Sequence, residues 1–71
     1  MSEIEKITIR DEVIRLGQFI KLACMVSTGG EAKIRIQSGD VLVNGEIDTR
    51  RGAQLRSGDR VTLDGTTCEV A

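Results

Sequence analysis

The 71 residues predict an α+β domain, two helices laid against a small, mostly antiparallel sheet, and three observations carry that prediction. Apolar spacing switches from period two to a helical period and then back again along the chain. Asn44-Gly45 and Asp64-Gly65, dipeptides suited to the positive φ angles of tight hairpin turns, each stand between β-like segments. The chain is also short enough for one domain only, 1–71, with a thin core, because a domain of this size buries only about 60% of the surface its unfolded chain exposes.

Lys6-Ile7-Thr8-Ile9-Arg10 alternates apolar with polar residues and is read as the first strand, with Asp11 as the N-cap of a helix after it. From Val13 the period changes. Val13, Leu16, Phe19, Ile20 and Ala23 form one stripe of an amphipathic helix, and Arg15, Gln18 and Lys21 lie off it. Gly29-Gly30 breaks this helix. Thr28 followed three residues later by Glu31 has capping-box spacing and starts a second helix, in which Ala32 and Ile36 share a face and which Gly39 stops. Strands return at Val41-Leu42-Val43 and Glu46-Ile47 around Asn44-Gly45, and at Arg60–Leu63 and Thr67–Val70 around Asp64-Gly65. The polar stretch from Asp48 to Ser57 is read as a connection between the two hairpins. Ser-Gly-Asp occurs at 38–40 and again at 57–59, each time before a strand, as shared turn chemistry rather than a duplication.

Composition excludes much. Histidine, tryptophan and tyrosine are absent and Phe19 is the only aromatic, which removes the commonest general base, the commonest metal ligand and any platform for stacking bases. Cys24 and Cys68 have no CxxC spacing and are expected as buried free thiols, with no metal and no cofactor implied. No apolar run reaches the roughly 18 residues of a membrane span, and Met1–Asp11 lacks the pattern of a leader, so a cytoplasmic, monomeric protein is expected. Serine and threonine have no base paired with them by spacing, and the carboxylates are scattered, so no catalytic residue is assigned and no small-molecule substrate is expected. A ubiquitin-like sulfur carrier would need a terminal Gly-Gly, where this chain reads Glu69-Val70-Ala71.

The net charge of −1 conceals an asymmetry. Residues 13–36 carry +3 against −2 for residues 1–12, and the bases Arg15, Lys21, Lys33 and Arg35 fall within that short helical stretch. If the chain turns back after the first hairpin, Arg50 and Arg51 come beside the helices. Arg15, Lys21, Lys33, Arg50 and Arg51 are then candidates for one basic face on nucleic acid, which without aromatic residues would track phosphates and the shape of folded RNA. Gly29-Gly30 at the second helix start reads either as a plain interhelical turn or as a helix end that also touches a phosphate. Glu31 would oppose the phosphate.

The ordered motifs Arg15-Leu16-Gly17-Gln18-Phe19-Ile20-Lys21-Leu22, Ser27-Thr28-Gly29-Gly30-Glu31-Ala32-Lys33, Val41-Leu42-Val43-Asn44-Gly45 and Arg50-Arg51-Gly52 resemble those of the S-four domain, named after ribosomal small-subunit protein four. The similarity covers about residues 13–63 and is greatest to the small standalone bacterial members of the YbcJ and YaaA type. It implies the αL motif, two helices packed on a small sheet and presenting a basic surface to structured RNA, ribosomal or transfer. Carried over, the RNA-facing residues are Arg15, Lys21, Ser27, Lys33, Arg50 and Arg51, with Asn44 and Gly45 structural. Two departures stand out: Gly17 where the broader domain commonly has aspartate, and Thr28-Gly29-Gly30 in place of a Ser-Arg helix start. The second removes one arginine contact and implies weaker binding than in fused members. The alternative reading is a protein-interaction adaptor that uses the same face or an apolar patch on the sheet.

Overall fold

The computed structural model describes residues 4–71; the leader reading of Met1–Asp11 rests in part on residues 1–3, which lie outside the described residues. The two hairpins set the frame. Asn44 and Gly45 have φ of 52° and 85°, and Asp64 and Gly65 have 52° and 79°, so both turns have positive φ at both central positions. They join β3 (Val41–Val43) to β4 (Glu46–Ile47), and β6 (Arg60–Leu63) to β7 (Thr66–Val70). A sheet of five strands results, ordered β1-β7-β6-β3-β4, in which β1 (Glu5–Ile7) runs parallel to β7 and every other pair is antiparallel. The first strand is shorter than the alternation through Arg10 suggests, since Ile7 pairs with Val70 and the ladder ends there.

The largest correction concerns residues 13–15. Val13–Arg15 is a strand, β2, and not the first turn of the helix; it pairs antiparallel with β5 (Gln54–Arg56), a strand inside the segment read as a connection. Val13 satisfies the helical stripe and a strand equally well on paper, whereas Ile14 lies off that stripe. Their β-branched side chains favour the extended choice once a partner is present, and Leu55 supplies it opposite Ile14. Asp11 accordingly caps nothing. The helix α1 (Leu16–Leu22) begins at Arg15, which makes no side-chain cap, and its first amides are met by main chain instead: the Leu16 N–H donates to the Ala53 carbonyl at 2.8 Å and the Gly17 N–H to the Arg51 carbonyl at 3.0 Å.

The second helix, α2 (Gly29–Gln37), starts where the sequence places it. The Glu31 N–H donates to Thr28 Oγ1 at 3.0 Å, and the Glu31 carboxylate turns back to accept the Ser27 N–H at 2.7 Å, one residue earlier than in the usual reciprocal box. It ends in a Schellman turn, with the Gly39 N–H on the Ile36 carbonyl and the Asp40 N–H on the Arg35 carbonyl. The end of α1 has the same pattern, but the left-handed position there belongs to Cys24, at φ 59°. Cys24 is therefore exposed at the helix end and is not the buried thiol expected; Cys68, on β7, is buried. Burial raises the Cys68 thiol pKa, and the Glu5 carboxylate adds to the effect.

Leu16, Phe19 and Ile20 from α1 and Ala32 and Ile36 from α2 meet Val41, Val61, Leu63, Cys68 and Val70 of the sheet in one core, with Leu55 of β5 and Ala53 just before it closing the core. No buried polar side-chain atom among the described residues lacks a partner. No helix among them is long and apolar enough to cross a membrane.

Candidate nucleic-acid interface

Gln18 and Lys21, three residues apart, share one face of α1, and Arg15, the last residue of β2, stands at the N-cap position just before the helix. The chain between β4 and β5 crosses the start of that helix, held by the two main-chain bonds from Leu16 and Gly17. These bonds bring Arg51, thirty-six positions after Arg15, to the same place. Arg15, Lys21 and Arg51 line one open cleft of about 370 Å³ together with Gln18 and the small residues Gly17, Gly29, Ala32 and Gly52. No acid lines it. All three cations are solvent-exposed, and none has a carboxylate partner among the described residues.

Four other bases are paired with acids. Arg35 holds Asp40 at 2.8 Å and also Asp64 in the β6–β7 turn; these hydrogen bonds raise the Arg35 pKa and lower that of Asp64. Arg60 pairs with Glu69 at 2.9 Å, and Lys6 approaches the same carboxylate. Arg50 is the informative case. It forks onto Asp48, with Nη2 to Oδ2 at 2.9 Å and Nε to Oδ1 at 3.1 Å, and it lies in a separate hollow beside β4. The guanidinium holds the Asp48 carboxyl below its usual range. Two adjacent arginines thus go to different places, Arg51 into the cleft and Arg50 onto an acid.

Ser27 and Lys33 stand outside the cleft lining. Ser27 is exposed just before the α2 cap, its N–H taken by Glu31. Lys33 is exposed one helical turn beyond Gly29, on the helix face that Gly29 brings to the cleft. Gln18 and Gly52 are lining residues that charge counting passes over. The three-residue spacing from Arg15 to Gln18 to Lys21 is the signal that could have found the first of them.

A family signature described as the S4 domain matches residues 7–71. The chain belongs to the S4 domain family. This S4 domain is 49% identical over 59 residues to a probable ribosome maturation protein, RlbA, of Bacillus subtilis, with 83% of each chain covered. It is 32% identical over 57 residues to a putative RNA-binding protein, YbcJ, of Escherichia coli, covering 80% of this chain and 81% of that one. The solution structure of the E. coli YbcJ, described as having an αL motif involved in RNA binding, superposes with a TM-score of 0.74 at 28% identity and covers all of this S4 domain and 91% of that chain. The two-helix element on a mostly antiparallel sheet is thus an αL fold in this S4 domain as well.

Proposed function

We propose that this S4 domain is a non-catalytic module that binds structured RNA, ribosomal or transfer, by its phosphates and shape. The observation that carries the reading is one of convergence: of the ten basic residues, Lys6, Arg35, Arg50 and Arg60 are paired with acids, and of the six without an acidic partner among the described residues, Arg15, Lys21 and Arg51 line one cleft, while Arg10, Lys33 and Arg56 stand outside its lining. Arg15 and Arg51 present planar forks suited to two phosphate oxygens at once, and Lys21 adds a point charge. Gly29, the first residue of α2, lines the cleft, and the free amides of a helix start favour an anion there. Lys33 and Ser27 extend the contact along α2, and Arg50 joins only by releasing Asp48. The family and the names of two relatives, one RNA-binding and one concerned with ribosome maturation, support the same ligand.

Salt titration of binding to ribosomal and transfer RNA tests this. Three phosphate contacts at about 0.7–0.9 each give a slope of log K against log salt of roughly −2 to −3, and Lys33 would add about one more contact. A slope near zero rejects the electrostatic reading. The adaptor reading draws on Ile34 and Ile47, which remain 65% and 63% exposed outside the cleft lining. Partner capture that survives nuclease treatment and is lost on Ile34→Ser/Ile47→Ser would favour it.

A further inference from the structure

We infer that Gly17 is a positioning residue whose missing side chain seats the stem of Arg51 and so aims its guanidinium into the cleft; this rests on the RNA-binding reading above. Glycine is a poor helix former, and at residue 17 it sits in the first turn of α1 with a backbone that any L residue adopts. Conformation therefore does not call for it. Space does: a Cβ at residue 17 would lie 2.6 Å from Arg51 Cγ, 3.3 Å from its Cδ and 3.5 Å from its carbonyl oxygen. The remaining glycines with ordinary φ meet no such obstacle, since Gly29 and Gly52 have nothing within 4 Å and Gly30 has only the Thr28 hydroxyl at 3.9 Å.

Main chain and side chain of residue 51 are thus fixed at the same point. The Gly17 N–H holds the Arg51 carbonyl at 3.0 Å, and the methylene stem lies against the Gly17 Cα. A guanidinium whose stem is already seated loses less rotamer freedom when it meets a phosphate, so the glycine preorganises the cation that the sequence supplies from furthest away. A methyl group at residue 17 has to lift the stem, and the guanidinium leaves the cleft with it.

A cycle of four proteins, the wild type, Gly17→Ala, Arg51→Ala and the double variant, tests the inference by affinity for purified ribosomal RNA at fixed salt and by Tm. Gly17→Ala is expected to weaken binding at least about threefold and Arg51→Ala at least about fivefold, with the double variant no weaker than Arg51→Ala alone. In Tm the sign should reverse: Gly17→Ala lowers it when Arg51 is present and raises it when the stem is gone, because alanine is then simply the better helix residue. Equal loss of affinity from Gly17→Ala in both backgrounds would overturn the inference, as would unchanged affinity in the wild-type background. Should Gly17→Ala alone fail to fold, the double variant must fold, and its failure would also overturn it. Wild-type affinity in Arg51→Ala defeats the RNA reading of the cleft, while the Tm cycle still decides whether Gly17 seats the stem.

Discussion

Arg50 and Arg51 are neighbours in sequence with opposite fates. Arg50 is locked onto Asp48 by two guanidinium hydrogen bonds, and Arg51 stands unpaired in the cleft with Arg15 and Lys21. The same contrast separates the cleft from the far end of α2 and the β6–β7 hairpin, which are stitched by the Arg35–Asp40–Asp64 and Arg60–Glu69 pairs. A chain with net charge −1 can thus bring three cations with no acidic partner among the described residues to one cleft, because its acids pair with other bases. Total charge says little here; the pairing pattern says what is left over for a polyanion.

Reversing the unpaired set should produce the largest change. Arg15→Glu/Arg51→Glu is expected to weaken RNA binding by at least about a hundredfold, two charge-assisted contacts being replaced by repulsion, with Tm nearly unchanged because both side chains are exposed. A Tm loss that accounts for the affinity loss would show these arginines to be structural.

Converting a paired base into a free one is the next test. Asp48→Asn keeps an oxygen for the Arg50 N–H but removes the charge that holds the guanidinium, so affinity at low salt should rise by about twofold to threefold. No change would mean that Arg50 lies beyond reach of the ligand. The same pair has a pH signature. The Asp48 carboxyl has its folded pKa lowered, so its contribution to stability is complete above the unfolded value of about 3.9 and fades as pH falls through the lower folded value. Carboxyl chemical shifts followed by NMR should place the Asp48 and Asp64 midpoints below those of unpaired aspartates; midpoints in the ordinary range would mean that the pairs do not persist in solution.

The smallest effect belongs to the stitched end. Arg35→Gln should leave RNA affinity within about twofold of wild type and lower Tm slightly, since exposed ion pairs contribute little. A clear affinity loss would extend the interface to the end of α2 and dissolve the contrast.

Much of the fold was legible from local chemistry. Asn44-Gly45 and Asp64-Gly65 announced both hairpins because few other dipeptides accept positive φ twice, and Thr28 with Glu31 announced the start of α2 because that cap is built within five residues. The pairing of Val13–Arg15 with Gln54–Arg56 was not legible, since it joins segments about forty residues apart and each half is ambiguous alone. Ala53-Gln54-Leu55-Arg56 does alternate, and Ala53 and Leu55 are buried; that alternation was hidden by the three arginines around it. The cleft inherits this limit. Gln18 and Lys21 could be placed on one helix by counting, whereas the place of Arg15 at the end of β2 depends on its pairing with Gln54, and the separation of Arg50 from Arg51 depends on the carboxylate of Asp48 and on a main-chain bond at Gly17.

The parallel pairing of β1 with β7 bears on synthesis. Glu5 finds its neighbour only at Cys68, so during translation at about 5–20 residues per second the first strand waits several seconds for the last to be made. Until then both of its edges are open to other chains, and afterwards only the outer one is. Glu5 and Lys6, both exposed and of opposite charge, make that waiting strand a poor template for aggregation.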